Sequence, residues 1–294
     1  MTETKKDFID LTQFNKNELI FLIEDGINKK NISSNNGMAS VDEDACAKDK
    51  ILATIFEKPS TRTRFSFETA MYQLGGKTIY ANMSDMQLGR GETIDDTAKV
   101  ISRYVDIAML RTNKHSTLEN FAKNSSIPVI NGLTDKSHPC QVLADLITVK
   151  EKIGDIENKS YVWFGPANNM LTSWIHAAQI IGFELRICSP KDYSVDNNLV
   201  SGFPNITTDL DPNDAAKDCD CIITDTWFSM GEDDNDQKRK ILEPYRVDAN
   251  KISMASSDAI FLHCLPAHRG EEVDAGVIDG VNSVVWDEAE NRVH

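Results

Sequence analysis

The sequence predicts an α/β protein: two doubly wound parallel-sheet domains joined by a long helix, with the active site in the inter-domain cleft. Short apolar segments alternate with helical patterns along the chain, as they do in parallel sheets. At 294 residues the chain is also long enough for two domains of about 150 residues each. Because such sheets bind ligands at the carboxyl ends of their strands, two facing sheets create a cleft for a ligand.

The first series of elements occupies the N-terminal half. Apolar residues among charges predict a surface helix over residues 8–30, and a polar loop follows over residues 31–49. Apolar runs and helical spacing then predict strands at 51–56, 77–81, 106–110 and 127–130, and helices at 63–74, 92–103 and 116–123. A long amphipathic segment, Cys140 to Ile153, ends this series.

The second series begins after Gly154 and a short polar stretch. Its strands are predicted near 160–164, 184–188, 205–208, 220–224 and 259–263, with helices between them. We therefore place the first domain at residues 1–150 and the second at residues 151–279. No sequence repeat accompanies the two similar series.

The composition predicts a soluble, cytoplasmic protein. Hydrophobic residues make up 40% of the chain, and the mean hydropathy is -0.36. No apolar run approaches the roughly 18 residues of a membrane helix, and the N-terminus lacks an apolar signal segment. The six cysteines are scattered without C-x-x-C spacing, which favours a reducing compartment over disulfides and gives zinc little support.

The net charge of -15 is unevenly distributed. Residues 1–150 carry 19 lysines and arginines against 20 acidic residues, whereas residues 151–294 carry 12 against 26. An acidic surface of this kind argues against a nucleic-acid partner. The asymmetry either keeps the protein soluble or reflects an anion bound by the first half and a cation bound by the second.

An anion site is predicted where the strand at 51–56 meets the following helix, around Ser60-Thr61-Arg62-Thr63-Arg64. Main-chain N–H groups are unpaired at a helix N-terminus, where the helix dipole is positive. The hydroxyls add donors, and Arg62 or Arg64 adds a planar fork suited to a phosphate. The alternative is an ordinary Ser/Thr cap with solvated arginines.

Three other features of the first half fall at the same edge of the predicted sheet. Arg111 ends an apolar run, and Gln87 lies in a Gly-containing loop. His138 and Gln141 open the long helix three positions apart and therefore share a face. Each residue alone also fits a structural role, and their convergence favours a site.

The second half offers three further strand ends. Asn168 and Asn169 follow the strand at 160–164 in a turn that lacks the G-x-G-x-x-G dinucleotide fingerprint. Asp225 and Cys264 each follow a strand. A carboxylate after a strand is commonly a cap, and a buried thiol is commonly inert, so packing is the alternative for both.

Four motifs resemble, in order, those of the ornithine carbamoyltransferases within the aspartate/ornithine carbamoyltransferase family. They are Ser60-Thr61-Arg62-Thr63-Arg64, His138-Pro139-Cys140-Gln141, Asp225 with Ser229-Met230-Gly231, and His263-Cys264-Leu265-Pro266. The first marks carbamoyltransferases generally, whereas the last two are specific to the ornithine enzymes. The resemblance extends from Phe8 to Arg292.

The resemblance implies a carbamoyl phosphate-binding first domain, toward which a segment at about 280–294 packs back, and an ornithine-binding second domain. Its implied carbamoyl phosphate ligands are Ser60, Thr61, Arg62, Thr63, Gln87, Arg111, His138, Gln141, Cys264, Leu265 and Arg292. Its implied ornithine ligands are Asn168 or Asn169, Asp225, Ser229 and Met230. The family has an acidic triplet before the paired amides, where this chain has Gly165-Pro166-Ala167, and the choice between the two asparagines stays open.

The implied reaction moves the carbamoyl group of carbamoyl phosphate to the δ-amine of L-ornithine, giving L-citrulline and phosphate, in arginine metabolism. Arg111 and His138 serve the developing negative charge on the carbamoyl oxygen, and Asp225 with Cys264 is the polar pair near the amine. No metal or organic cofactor is expected. The resemblance also implies a homotrimer or a multiple of trimers, with no nucleic-acid or membrane partner.

Three alternatives remain at this point. The acceptor is instead aspartate or putrescine, or the chain is a non-catalytic paralogue that binds carbamoyl phosphate or a related anion. A dinucleotide oxidoreductase shares the fold class, although the missing glycine fingerprint counts against it. The sequence does not indicate whether the reaction runs toward arginine synthesis or arginine breakdown.

Overall fold

The computed structural model describes residues 5–87, 91–228, 232–233 and 235–294. The chain separates into two compact units, the first comprising residues 1–143 with 290–294 and the second comprising residues 144–289. Both units are α/β in architecture, and each contains a parallel sheet. The predicted fold class of two parallel-sheet α/β domains is therefore confirmed.

The sheet of the first unit has the strand order β2-β1-β3-β4, and every neighbouring pair is parallel. Its strands are β1 Ile51–Phe56, β2 Lys77–Asn82, β3 Ile107–Arg111 and β4 Val129–Leu133. Strand β1 is central and buried beyond its first residue, as its uninterrupted apolar sequence predicts. The four predicted strand positions of this half agree with the structure to within about three residues.

The helices of the first unit are α1 Lys16–Asn36, α2 Thr61–Gln73, α3 Ile94–Ile101 and α4 His115–Asn124, followed by α5 Pro139–Ile153, which continues into the second unit. Helix α5 begins with Pro139, which suits a first helical position because that position needs no N–H partner. Buried apolar side chains cover both faces of the sheet, including Ile55, Leu110 and Phe121 in one cluster and Phe56 and Met109 in another.

The predicted surface helix over residues 8–30 was wrong at both ends. Phe8 forms a parallel bridge with Ile130 beside β4, and helix α1 begins only at Lys16. A reciprocal capping box sets this start, because Asn15 and Glu18 each accept the other's main-chain N–H. The helix then runs through Asn36, into the predicted loop, and ends where Gly37 adopts a positive φ of 90°.

The sheet of the second unit has the strand order β7-β6-β5-β8-β9, again with parallel neighbours. Its strands are β5 Ser160–Phe164, β6 Glu184–Cys188, β7 Ile206–Thr207, β8 Cys221–Thr224 and β9 Ile260–His263. All five lie at the predicted positions, although β7 is only two residues long.

The helices that follow α5 are α6 Asn169–Ile181, α7 Asn197–Val200, α8 Asp236–Leu242, α9 Ala249–Met254, α10 Ala275–Ile278 and α11 Val285–Asn291. A fully buried aromatic cluster of Tyr161, Trp174 and Phe183 packs α6 against the sheet. Among the residues that the structure describes, no helix combines the length and the apolar character needed to cross a membrane.

Candidate active site

Helix α2 of the first unit begins directly after β1, as the strand–turn–helix pattern predicts. Ser60 is the N-cap residue, and its hydroxyl accepts the main-chain N–H of Thr63 at 3.4 Å. The two arginines of this motif differ in their surroundings. Arg64 stacks on the Tyr80 ring at 4.0 Å and donates to Glu68 at 2.9 Å. The Arg64 guanidinium is therefore engaged by Tyr80 and Glu68, whereas the charge of Arg62 acts on His138, so Arg62 is the candidate for an anion.

Five residues from four separate parts of the sequence meet at the carboxyl edge of the first sheet. Thr63 Oγ1 accepts from Arg111 Nη1 at 3.0 Å and from Arg292 Nη2 at 3.5 Å. Arg292 Nη1 also donates to His138 Nε2 at 2.9 Å and to Gln141 Oε1 at 2.6 Å. We call Thr63, Arg111, His138, Gln141 and Arg292 the arginine cluster. All five appear among the sequence-predicted site residues.

Burial and charge determine the protonation of the arginine cluster. Arg111 is only 8% exposed and His138 only 4%. Burial, together with the positive charges of Arg292, Arg111 and Arg62, lowers the pKa of His138 well below 6.5. The imidazole is neutral, and because its Nε2 accepts from Arg292, its ring hydrogen resides on Nδ1. The cluster thus holds concentrated positive charge around an uncharged histidine.

The remaining predicted residues of the first unit are more exposed than most of the arginine cluster. Ser60 and Arg62 are partly exposed, and Thr61 is exposed at the first helical position of α2. Gln87 is exposed, and within the described part of the chain it makes no hydrogen bond to the arginine cluster. The structure therefore brings the cluster residues together and leaves Gln87 outside their hydrogen-bond network.

Glu57 is a supporting residue that the sequence analysis did not single out. It follows β1 and accepts from the Thr112 hydroxyl and the Asn113 main-chain N–H, both at 2.6 Å, and from Asn113 Nδ2 at 3.0 Å. These bonds tie the segment after β3 to the segment after β1, next to Arg111. Its position directly after the buried strand β1 is the sequence feature that could have identified Glu57 as a supporting residue.

At the carboxyl edge of the second sheet, a carboxylate, an amide and a thiol meet instead of arginines. Asp225 Oδ1 accepts from the Cys264 thiol at 3.1 Å and from the Thr226 main-chain N–H at 2.8 Å. Asp225 Oδ2 accepts from Asn168 Nδ2 at 2.8 Å. We call Asn168, Asp225 and Cys264 the aspartate cluster. The three residues follow β5, β8 and β9, so the parallel sheet brings them together.

Asn168 has a second role as the N-cap residue of α6. Its Oδ1 accepts the main-chain N–H groups of Met170 and Leu171, both at 3.0 Å. The side-chain oxygen of Asn168 therefore caps the helix, and one of its amide N–H groups donates to Asp225. Asn169 is the first residue of α6 and is partly exposed. Ser229 and Met230, the other two predicted ornithine ligands, lie outside the described residues.

The Cys264 thiol is kept protonated by its environment. Burial raises the pKa of Cys264 well above its usual value near 9, and the negative charge of Asp225 raises it further. Leu265, the next residue, has a left-handed φ of 56°, and its main-chain N–H donates to His263 Nδ1 at 2.9 Å. The thiol therefore acts as a hydrogen-bond donor to Asp225, with no thiolate present.

Two carboxyl groups behind this turn were not predicted from the sequence. Glu288 accepts the main-chain N–H of His263 at 2.9 Å, and Glu272 faces the His263 ring at 3.2 Å. Both carboxyls are fully buried. They come from segments that follow β9 by several residues, so neither lies in the strand-end positions that a doubly wound sheet predicts.

Two groups of described residues could in principle hold a metal ion. Ligand atoms of Asp225, His263 and Cys264 lie within 4.8 Å of one another, as do those of His268, Glu271 and Glu272. In the first group the thiol is protonated and donates to the carboxylate, and both ring nitrogens of His263 have hydrogen-bond partners. The arrangement of donors and acceptors accounts for these atoms without an ion, and the absence of a metal requirement stays a prediction.

Comparison with known proteins gives close relatives over the full chain. Ornithine carbamoyltransferase from Caulobacter vibrioides is 50% identical over 295 residues, which cover 98% of this chain and 94% of that protein. The structure of ornithine carbamoyltransferase from Pyrococcus furiosus matches with a TM-score of 0.92 at 42% identity, covering 100% of this chain and 95% of that one. The Burkholderia thailandensis enzyme of the same name matches with a TM-score of 0.88 at 45% identity, covering 98% and 94%.

Two family models divide the chain in the same order as the two sheets. The model described as aspartate/ornithine carbamoyltransferase, carbamoyl-P binding domain, matches residues 6–151. The model described as aspartate/ornithine carbamoyltransferase, Asp/Orn binding domain, matches residues 157–294. With the arginine cluster in one unit, the aspartate cluster in the other and these matches across nearly its whole length, the chain belongs to the aspartate/ornithine carbamoyltransferase family.

Proposed function

We propose that this chain is an ornithine carbamoyltransferase, which transfers the carbamoyl group of carbamoyl phosphate to the δ-amine of L-ornithine and releases L-citrulline and phosphate. The observation that carries the proposal is the arginine cluster at the N-terminus of α2. It supplies positive charge and N–H donors for a phosphate and a polarised carbonyl. The relatives at 50% identity in sequence and at 0.92 in TM-score bear the same name.

Carbamoyl phosphate is the anion that the first unit suits. Its phosphate lies at the α2 N-terminus, with Ser60, Thr61, Arg62 and Thr63 as ligands and Gln87 beside them. Unpaired main-chain N–H groups and a guanidinium fork together form charge-assisted hydrogen bonds to a phosphate. The same groups stabilise the departing phosphate, so the leaving group needs no protonation by an acid.

The carbamoyl group lies against the arginine cluster. The Thr63 oxygen accepts from both Arg111 and Arg292, so its own hydroxyl hydrogen points away from them and can donate to a ligand oxygen. Attack on the carbamoyl carbon gathers negative charge on its oxygen, and we assign Arg111, the Thr63 hydroxyl and the Nδ1–H of His138 as the donors that stabilise it. Gln141 holds Arg292 in position.

Ornithine is the substrate that the second unit suits. Its amine must be neutral to attack, and Asp225 is the carboxylate that orients it and accepts its proton. The Cys264 thiol and Asn168 hold that carboxylate from two sides. Asn168 Oδ1 is bonded to the α6 main chain and one of its N–H groups to Asp225, so we assign the ornithine α-carboxylate to Asn169. The family resemblance adds Ser229 and Met230 to the ornithine ligands, and Leu265 lies next to these ligands.

Ornithine is also favoured over the other acceptors by the chemistry of the aspartate cluster. The two carboxylates of an aspartate substrate would face the carboxylate, amide and thiol of the aspartate cluster. The half of the chain that contains this cluster has 12 basic against 26 acidic residues. Putrescine would leave the amide donors without the carboxylate they suit, at a cost of about 1–3 kcal/mol for each unpaired donor.

The biological setting rests on family resemblance alone. We assign the enzyme to arginine metabolism in the cytoplasm, acting as a homotrimer or a multiple of trimers, without a nucleic-acid or membrane partner. Sedimentation equilibrium of the purified protein tests the assembly. A monomer at micromolar concentration would contradict the trimer.

The proposed reaction is tested by incubating the purified chain with carbamoyl phosphate and L-ornithine and measuring citrulline and phosphate. We expect both products in equal amounts, at a rate that depends on both substrates. Phosphate release that is independent of ornithine would indicate hydrolysis, and binding of carbamoyl phosphate without any product would favour the non-catalytic paralogue. Either result would refute the proposed function.

A further inference from the structure

His263 is the last residue of β9, and the proposed site residues Cys264 and Leu265 follow it. Its side chain is almost completely buried and lies between two partners. Nδ1 accepts the main-chain N–H of Leu265 at 2.9 Å, and Nε2 faces Glu272 Oε1 at 3.2 Å. Because Nδ1 acts as an acceptor, the ring hydrogen is on Nε2 and is donated to Glu272.

Glu272 is arranged as an ionised carboxylate. The same Oε1 that faces His263 also accepts the main-chain N–H of His268, and the side chain is 0% exposed. Burial raises the pKa of Glu272, but the hydrogen bonds from His263 and His268 outweigh it, and the pKa lies below its usual value. A protonated carboxyl would lose the charge assistance of both bonds.

A second carboxyl holds the main chain of the same residue. Glu288 Oε2 accepts the His263 main-chain N–H at 2.9 Å, and Glu288 is also hydrogen-bonded to Asp145. Both acids are 1% exposed. Two carboxyl groups can form a hydrogen bond to each other only if one of them supplies a proton. Burial and Asp145 raise the pKa of Glu288 well above its usual range, consistent with a shared proton.

We propose that His263 is a positioning residue for the turn of Cys264 and Leu265, that its ring requires an ionised Glu272, and that its main chain requires a neutral Glu288 paired with Asp145. The two acids hold one residue but carry different charge. The role of the turn in catalysis rests on the proposed function, whereas the hydrogen-bond assignments do not.

The charge difference follows from what surrounds each acid. Glu288 and Asp145 add to the negative field at Cys264, where Asp225 already acts. Cys221, on β8, also lies within the field of both acids. Because Glu288 and Asp145 share a proton, the pair carries one negative charge instead of two. Glu272 donates no hydrogen to His263 or His268, and its charge is stabilised by the bonds it accepts.

Matched glutamine substitutions separate the two roles. In Glu288→Gln the amide oxygen accepts from His263 and the amide N–H₂ donates to Asp145, so the neutral arrangement is preserved. In Glu272→Gln both accepted bonds lose their charge assistance. We expect kcat/KM for citrulline formation to stay within about threefold for Glu288→Gln and to fall about tenfold or more for Glu272→Gln. The loss should appear mainly in kcat, since ornithine binding uses other residues.

A second readout does not depend on activity. Alkylation of Cys264 by iodoacetamide, followed by mass spectrometry of its peptide, reports how firmly the turn holds the thiol. We expect wild type and Glu288→Gln to react equally slowly and Glu272→Gln to react at least about threefold faster. Asp145→Asn should behave like Glu288→Gln, because it too replaces one member of the pair by a neutral amide.

The outcomes are distinguishable. If Glu288→Gln loses as much activity as Glu272→Gln, or if Glu272→Gln matches wild type in both readouts, the assignment is wrong. If Glu272→Gln does not fold, Glu288→Gln with Asp145→Asn still tests the shared proton. If wild type makes no citrulline, the proposed function fails while the alkylation pattern continues to test the positioning of the turn.

Discussion

The two sheets place opposite chemistry at the same structural position. At the carboxyl edge of the first sheet, arginines surround a histidine and keep it neutral. At the carboxyl edge of the second, carboxyl groups surround a thiol and keep it neutral. In both cases burial and neighbouring charges keep the group neutral. The arginines disfavour a positively charged histidine, and the carboxyl groups disfavour a negatively charged thiolate. One unit is thereby suited to an anion, and the other to an ammonium group.

The largest effect should come from removing the charge of the aspartate cluster. Asp225→Asn keeps the size of the side chain but removes the acceptor for the ornithine proton, and we expect kcat/KM for ornithine to fall by about 10²-fold or more. The pKa of Cys264 should also fall, because Asp225 helps to raise it. Steady-state kinetics and the pH dependence of Cys264 alkylation measure the two effects. Unchanged kinetics would remove Asp225 from the site.

The anion side is tested by two neighbouring arginines on α2. Arg62→Leu should lower kcat/KM for carbamoyl phosphate by about 10–150-fold, which corresponds to the 1.5–3 kcal/mol of lost charge-assisted bonds. Arg64→Leu is the matched control, because Arg64 stacks on Tyr80 and bonds Glu68. It should change kcat/KM by less than about threefold. Equal losses in the two variants would mean that the effect is structural.

Asn168 and Asn169, at the start of α6, should separate binding from stability. We expect Asn169→Ala to raise KM for ornithine about tenfold with little change in melting temperature. Asn168→Ala should lower the free energy of unfolding by about 1 kcal/mol or more, because it removes an N-cap as well as a bond to Asp225. Thermal denaturation and ornithine kinetics of both variants test this division. The reverse pattern would assign the α-carboxylate to Asn168.

The smallest expected effect is the pH dependence of stability due to His138. Its folded-state pKa lies well below 6.5, whereas in the unfolded chain it titrates near 6.5. The unfolded state therefore binds more protons as the pH falls below 6.5, and the folded state loses stability. Between pH 6.5 and 5.5 wild type should lose about 1 kcal/mol more than His138→Gln in urea titrations. Parallel curves would mean that His138 titrates normally.

The strand positions were predictable because each is a short apolar run between polar turns, and Ile51–Phe56 is the clearest case. The start of α1 was predicted too early because apolar residues precede the Asn15–Glu18 capping box, and the capping box sets the actual start. The arginine cluster was predictable through its strand-end positions and the family motifs. Arg292 illustrates the limit, because only the motif, and no local pattern, placed it among site residues.

The supporting acids could not be predicted for a different reason. Glu272, Glu288 and Asp145 are acidic residues within segments that read as ordinary helix or loop. Their function depends on burial and on partners at 9 and 25 residues' separation along the chain, as with His263. Charged side chains are mostly exposed, so the sequence alone favours a solvated interpretation for each.

The preference of the enzyme among acceptor amines is the most direct test of the proposed ornithine site. Citrulline formation from ornithine, carbamoylputrescine formation from putrescine and carbamoylaspartate formation from aspartate are measured with the same enzyme at saturating carbamoyl phosphate. We expect kcat/KM for ornithine to be at least about tenfold above that for putrescine, with no measurable reaction of aspartate. Comparable values for ornithine and putrescine, or turnover of aspartate, would contradict it.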